Sequence, residues 1–142
     1  MTKISYYILG DETLDARTRF AVKFVRQSWR KGQQIHCHVA NSKDAELLDH
    51  MLWADDQSFI PHAVQDNKSG TPAKTVGIGW TDPRGQFGML INLSGPLPQW
   101  FSHFEHLVEI VVQVPEVLAN TRANWKQLKF NGYSITQHDL RS

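Results

Sequence analysis

Short runs of β-branched and aromatic residues alternate with longer amphipathic stretches along this chain, and that alternation limits the folds open to it more than any other feature. Lys3 to Leu9 (Ile4, Tyr6, Tyr7, Ile8, Leu9) reads as a strand closed by Gly10-Asp11. Thr13 to Lys31 reads as a helix with Leu14, Ala21, Phe24, Val25 and Ser28 on one face and Gly32 at its end. Ile35 to Val39 is a second strand. Asn41-Ser42 can cap a helix running to about Trp53, with Ala45, Leu48 and Leu52 as its buried stripe. From Ala54 to Lys74 the text is loop-like, and only Phe59 to His62 suits a short strand. Thr75 to Trp80 and Met89 to Leu93 are further strands, separated by a turn at Thr81-Asp82-Pro83-Arg84-Gly85. Leu97 to Trp100 begins a short helical segment, followed by a strand from Leu107 to Val114. The last helix runs from Glu116 to Phe130, with Asn131-Gly132 as its stop, and Tyr133 to Gln137 adds a final strand. Strands alternating with helices imply an α/β layer fold with a largely parallel sheet. At 142 residues the chain is expected to form a single domain spanning 1–142.

Composition removes several function classes. No apolar run approaches the ~20 residues that span a bilayer, and the N-terminus lacks the apolar core of a signal peptide. The one cysteine, Cys37, admits no internal disulfide and suits a reducing, cytoplasmic setting. Charge is unevenly spread. Residues 1–31 hold seven Lys/Arg against three acids, whereas residues 41–66 hold one Lys against six acids. The sequence pI near 7.9 is below what a nucleic-acid-coating domain shows, so any anion binding must be local.

No Gly-rich phosphate loop opens a helix anywhere in the chain, and Asp11 and Glu12 at the first strand's end would repel phosphate. Gly77-Ile78-Gly79 lies within an apolar strand, where glycines permit close packing. A nucleotide binder or other small enzyme on this fold is the alternative reading. Seven histidines are present, but none has the spacing of a zinc site; most are expected to be surface or half-buried side chains. His36 and His38 share a strand face opposite Cys37, and His103 and His106 could share a helical face. No serine stands in a nucleophile elbow, and Cys37 in mid-strand reads as a small core residue. No metal, cofactor or catalytic residue is expected.

Two features point to protein binding. In the last helix Arg122, Lys126 and Lys129 stand at spacings of four and three beside Trp125. Such a stripe can hold an acidic peptide through carboxylate pairs and an apolar notch, or it is simply a solvated helix face with cations at its C-terminal end. The first helix carries Arg19, Lys23, Arg26 and Arg30 at similar spacings; a solvated face is the reading preferred over a direct nucleic-acid surface. Trp53 and Phe59 lie among polar neighbours, where anchoring a partner competes with ordinary core packing.

Taken in order, Tyr6-Tyr7-Ile8-Leu9, Trp29-Arg30-Lys31-Gly32, Leu48-Asp49 through Leu52-Trp53, Ser58-Phe59-Ile60-Pro61-His62, Ile78-Gly79-Trp80 and Val114-Pro115 resemble the chi subunit of bacterial DNA polymerase III holoenzyme, a clamp-loader accessory family. The resemblance implies a Rossmann-like three-layer α/β fold and a non-enzymatic bridging role in DNA replication, with nucleic acid reached only indirectly. It implies that Trp53, Phe59, Ile60 and Pro61 face the psi subunit, or a repair helicase in its place. It also implies that Arg122 and Lys126, with Lys129 and Trp125 nearby, receive the acidic, Phe-terminated C-terminal tail of single-stranded-DNA-binding protein. The chain departs from the family's pattern in a shorter Pro115 to Arg122 segment, without a Lys one turn before Arg122, and in its C-terminal Gln137 to Ser142.

Overall fold

The computed structural model describes residues 1–54, 62–64, 76–84 and 88–141. Among them, seven strands form one sheet: β1 (Lys3–Ile8), β2 (Ile35–His38), β3 (His62–Val64), β4 (Val76–Gly79), β5 (Met89–Asn92), β6 (His106–Val111) and β7 (Ile135–Asp139). Their spatial order is β3-β4-β2-β5-β6-β1-β7, and every pairing is parallel. The helices are α1 (Leu14–Arg30), α2 (Ser42–Ala54) and α3 (Pro115–Phe130), with a 3-10 turn at Phe101–His103.

Side chains alternate across a strand, and the ring contacts show which helix covers which face. Tyr7 packs on Phe20 and Phe24 of α1, while its neighbour Tyr6 packs edge-on against Trp125 of α3. Helix α2 packs beside α1, so α1 and α2 cover one face and α3 the other, which is the three-layer α/β arrangement expected. The central strands are buried on both faces, as β2, β4 and β5 show along their whole length. Ile4, Leu90, Leu107 and Leu128 fill the layer beneath α3 and are essentially solvent-free; each such side chain contributes about 1.5–3 kcal/mol on burial.

Local signals place the helix ends. The Thr13 hydroxyl accepts from the Ala16 amide at 3.1 Å and caps α1, and Asn41 Oδ1 accepts from the Asp44 amide at 2.9 Å to cap α2. Gly32 and Gly132 follow α1 and α3 with φ of 83° and 86°, a backbone region costly for any side chain with a Cβ. Val114 precedes Pro115, which opens α3 at the position where a missing amide hydrogen costs nothing.

Some expectations need correction. Leu14 is half-exposed rather than part of the α1 core, and the inward stripe runs instead through Ala16, Ala21, Val22, Val25 and Ser28. The chain is helical at Phe101–His103, past the Leu97 to Trp100 segment. His103 ends that turn while His106 begins β6, so the two do not share a helical face. Most of the described histidines are exposed or half-buried, as expected, but His36 and His38 are buried. The last strand extends to Asp139, two residues beyond the expected Gln137, and that extension carries the C-terminal segment alongside β1.

Candidate functional site

Helix α3 has three differently used faces, as 3.6 residues per turn requires. Val117, Asn124 and Leu128 point into the sheet. Leu118, Thr121 and Trp125 line a groove of about 280 Å³ whose floor is Tyr6, Ile8 and Val111 and whose other wall includes Gln137 and Arg141. Arg122, Lys126 and Lys129 are all exposed. At 100° per residue, Arg122 and Lys129 border the groove-lining row, and Lys126 sits one step farther around the helix. The Lys129 ammonium lies 5.8 Å from the Trp125 ring centroid, within cation–π range. The stripe read from the sequence thus rims an apolar hollow, with Trp125 half-buried between them.

The C-terminal segment supplies a further cation that the sequence reading missed. Arg141 lines the groove and is clasped by Asp139, Nε donating to Oδ1 at 2.9 Å and Nη2 to Oδ2 at 2.6 Å. Those hydrogen bonds hold the Asp139 carboxyl down at about 2. No local signal marks Arg141, because only the parallel pairing of β7 with β1 brings it beside α3.

Beneath α3, one register row crosses the sheet through Gly79, His38, Asn92, Glu109, Tyr6 and Gln137. Glu109 is wholly buried. Desolvation pushes its carboxyl up to about 8, although Asn92 donates to Oε1 at 2.8 Å and Arg17 adds favourable charge, so it holds a proton at neutral pH. Asn124 reaches from α3 to donate to the Gly95 carbonyl at 2.7 Å. His36 and His38 lie against Trp100, and His36 also against Phe104. Burial drives them down to about 3 and 4. Among the described residues no cluster of three or more His, Cys, Asp or Glu could hold a metal ion. Cys37 is buried, its thiol pushed up to about 12, so it is not a thiolate nucleophile.

A second crevice, about 200 Å³, opens where the chain path reverses between the carboxyl ends of β2 and β5, between Val39 and Leu93. Open α/β sheets bind nucleotides at such a point. Here Asp15 and Asp44 line it, and Arg17, the one cation among its described lining residues, donates to the Leu93 carbonyl at 3.1 Å. That lining suits phosphate poorly. On α1, Arg19 is paired with Asp15 at 3.1 Å, as a solvated face would have it.

Trp53, near the end of α2, leaves 57% of its surface exposed, far from the core role usual for tryptophan. Phe59, Ile60 and Pro61 lie outside the described residues. Among the described residues no helix is long and apolar enough to cross a membrane.

The comparisons with known proteins agree over nearly the whole chain. The DNA polymerase III subunit chi of Pseudomonas aeruginosa is 28% identical, the alignment covering 99% of this chain and 98% of that protein. The subunit of the same name from Escherichia coli K12 is 25% identical, with 95% and 96% covered. A family model described as DNA polymerase III chi subunit, HolC, matches residues 1–136, and this chain belongs to that family.

Proposed function

We propose that this chain is a non-catalytic accessory subunit of the DNA polymerase III holoenzyme that bridges the clamp loader, through psi, to the acidic tail of single-stranded-DNA-binding protein. The observation that carries this reading is the apolar groove beside Trp125 bordered by Arg122 and Lys129. A peptide whose acidic residues precede a terminal aromatic side chain matches it on both counts: the ring enters the hollow and the carboxylates meet the rim. Arg122 offers a planar fork that can take a carboxylate bidentately, and Lys126 adds a point charge. Exposed pairs of this kind are screened by salt, so the contact is moderate in strength and salt-sensitive. The exposed Trp53 ring is read as an anchor for psi, and Phe59, Ile60 and Pro61, which follow it in sequence, are assigned to the same partner or to a repair helicase in its place. Two sites on one body raise the local concentration of each partner for the other.

Titration of a labelled acidic, Phe-terminated peptide against wild type and Arg122→Ala tests the assignment. The variant is expected to bind at least about tenfold more weakly, while co-purification with psi is unaffected. Equal affinities would remove Arg122 from the site. Retained psi binding by Trp53→Ala would remove the second surface.

A further inference from the structure

The residue after β7 that faces the groove is held ready for a ligand. The Leu140 amide donates to the Ile8 carbonyl at 2.8 Å, so the backbone just before Arg141 continues the β1 pairing. The Arg141 amide donates to Asp139 Oδ1 at 3.1 Å, and its guanidinium forks onto the same carboxylate. A Cβ placed on Gly10, two residues past β1, would lie 3.7 Å from Arg141 Cγ. Arg141 therefore sits at the carboxyl end of the strands, where α3 begins and Leu118 and Gln113 close the groove. Of the five N–H donors in a guanidinium, Asp139 takes two and leaves three for another acceptor. The two side chains are about half exposed, at 52% and 46%, so a ligand can reach them.

We propose that Arg141 receives a carboxylate of the docked peptide at this end of the groove, and that Asp139 both orients Arg141 and limits the positive charge the ligand meets. The inference rests on reading the groove as an acidic-peptide site. It assigns a ligand contact to Arg141, which lies beyond residues 1–136, the part matched by the family model. Because two hydrogen bonds to Asp139 already hold the guanidinium, less rotamer freedom is left to lose on binding. The carboxylate closest in reach of such an end position is the peptide's own terminus, placed there when the last side chain fills the hollow beside Trp125.

The test uses the full chain and two labelled synthetic peptides, both rich in aspartate and ending in phenylalanine, one with a free terminal carboxylate and one amidated. Arg141→Gln is expected to weaken the free-acid peptide by roughly 3- to 10-fold and the amidated one by less. Asp139→Asn is expected to tighten the free-acid peptide about 2- to 3-fold. The double variant separates a ligand contact from simple neutralisation of Asp139: it should bind more weakly than Asp139→Asn alone. A double variant that binds as tightly as Asp139→Asn overturns the Arg141 contact, as does an Arg141→Gln variant indistinguishable from wild type. Unchanged binding by Asp139→Asn overturns the limiting role given to Asp139. If Arg122→Ala weakens binding while Arg141→Gln does not, this inference fails and the groove reading stands. If wild type binds neither peptide, both fall. Circular dichroism confirms that these surface changes leave the fold intact.

Discussion

The inner and outer faces of α3 carry polar groups of opposite kinds, separated by roughly the 10 Å width of a helix. Inside, Asn124, Glu109 and Asn92 are buried, and Glu109 is displaced far from its ordinary titration. Outside, Arg122, Lys126 and Lys129 are exposed. Buried polar groups are costly unless partnered, so the inner set is committed to the fold. Exposed cations contribute little to stability, so the outer set is available to a partner. The difference separates polar groups that hold this domain together from charge that it presents.

The sharpest way to break that contrast is to truncate an apolar residue of the inner face. Leu128 is fully buried, and Leu128→Ala is expected to cost about 2–5 kcal/mol in urea unfolding, as lost transfer free energy and a residual cavity combine. If the cost were no larger than that of a change on the outer face, α3 would not be docked on the sheet as described.

A pH series tests the inner polar row with smaller effects of known sign. Glu109 titrates near 8 in the fold and near the usual carboxylate range when unfolded. The folded state then holds the extra proton between those values, so stability falls as pH rises through about 4.5 to 8. His36 and His38 act in the other direction. Their folded values near 3 and 4 lie below the ordinary 6.5, so the unfolded chain binds more protons there and stability is lost as pH falls from 6.5. With two histidines outweighing one carboxyl below 6.5, maximum stability is expected near pH 6.5. Glu109→Gln should flatten the alkaline limb, whose depth is on the order of 1–3 kcal/mol. His36→Leu should shallow the acid limb without stranding a partner, since neither ring nitrogen of His36 has a hydrogen bond. A profile that stays flat from pH 5 to 8 would mean that the row is hydrated.

Much of the outer face was legible in the sequence, and little of the inner face was. Periodicity marked Arg122, Lys126 and Lys129 because a helical stripe is a local pattern. The buried stripe of α2, Ala45, Leu48 and Leu52, emerged in the same way. Strand alternation separated Cys37 from His36 and His38, but it could not show that both histidines are buried. Their burial depends on Trp100 and Phe104 folding over them, some sixty residues away in sequence. Nothing local marks Glu109, a single acid in an apolar strand; its register with Asn92 and Tyr6 exists only once three parallel strands are aligned. Arg141 was unreadable for the same reason, since β7 must first lie on β1. Local chemistry is written in the sequence, whereas rows across a parallel sheet are written in the topology.

The smallest expected effect belongs to Lys129. Its ammonium lies over Trp125 at 5.8 Å, and an exposed cation–π contact is worth about 0.5–1 kcal/mol. Lys129→Ala gives up that contact and a favourable cation in the last turn of α3, but alanine recovers part of the loss through better helix propensity. The net change in urea unfolding is expected within about 0.5 kcal/mol, while affinity for the acidic peptide drops and its salt dependence becomes shallower as one screened charge is removed. A stability loss above about 1 kcal/mol would show that Lys129 props Trp125 against Tyr6. In that case the outer face would share in holding the fold, and the division between the two sides of α3 would not hold at this residue.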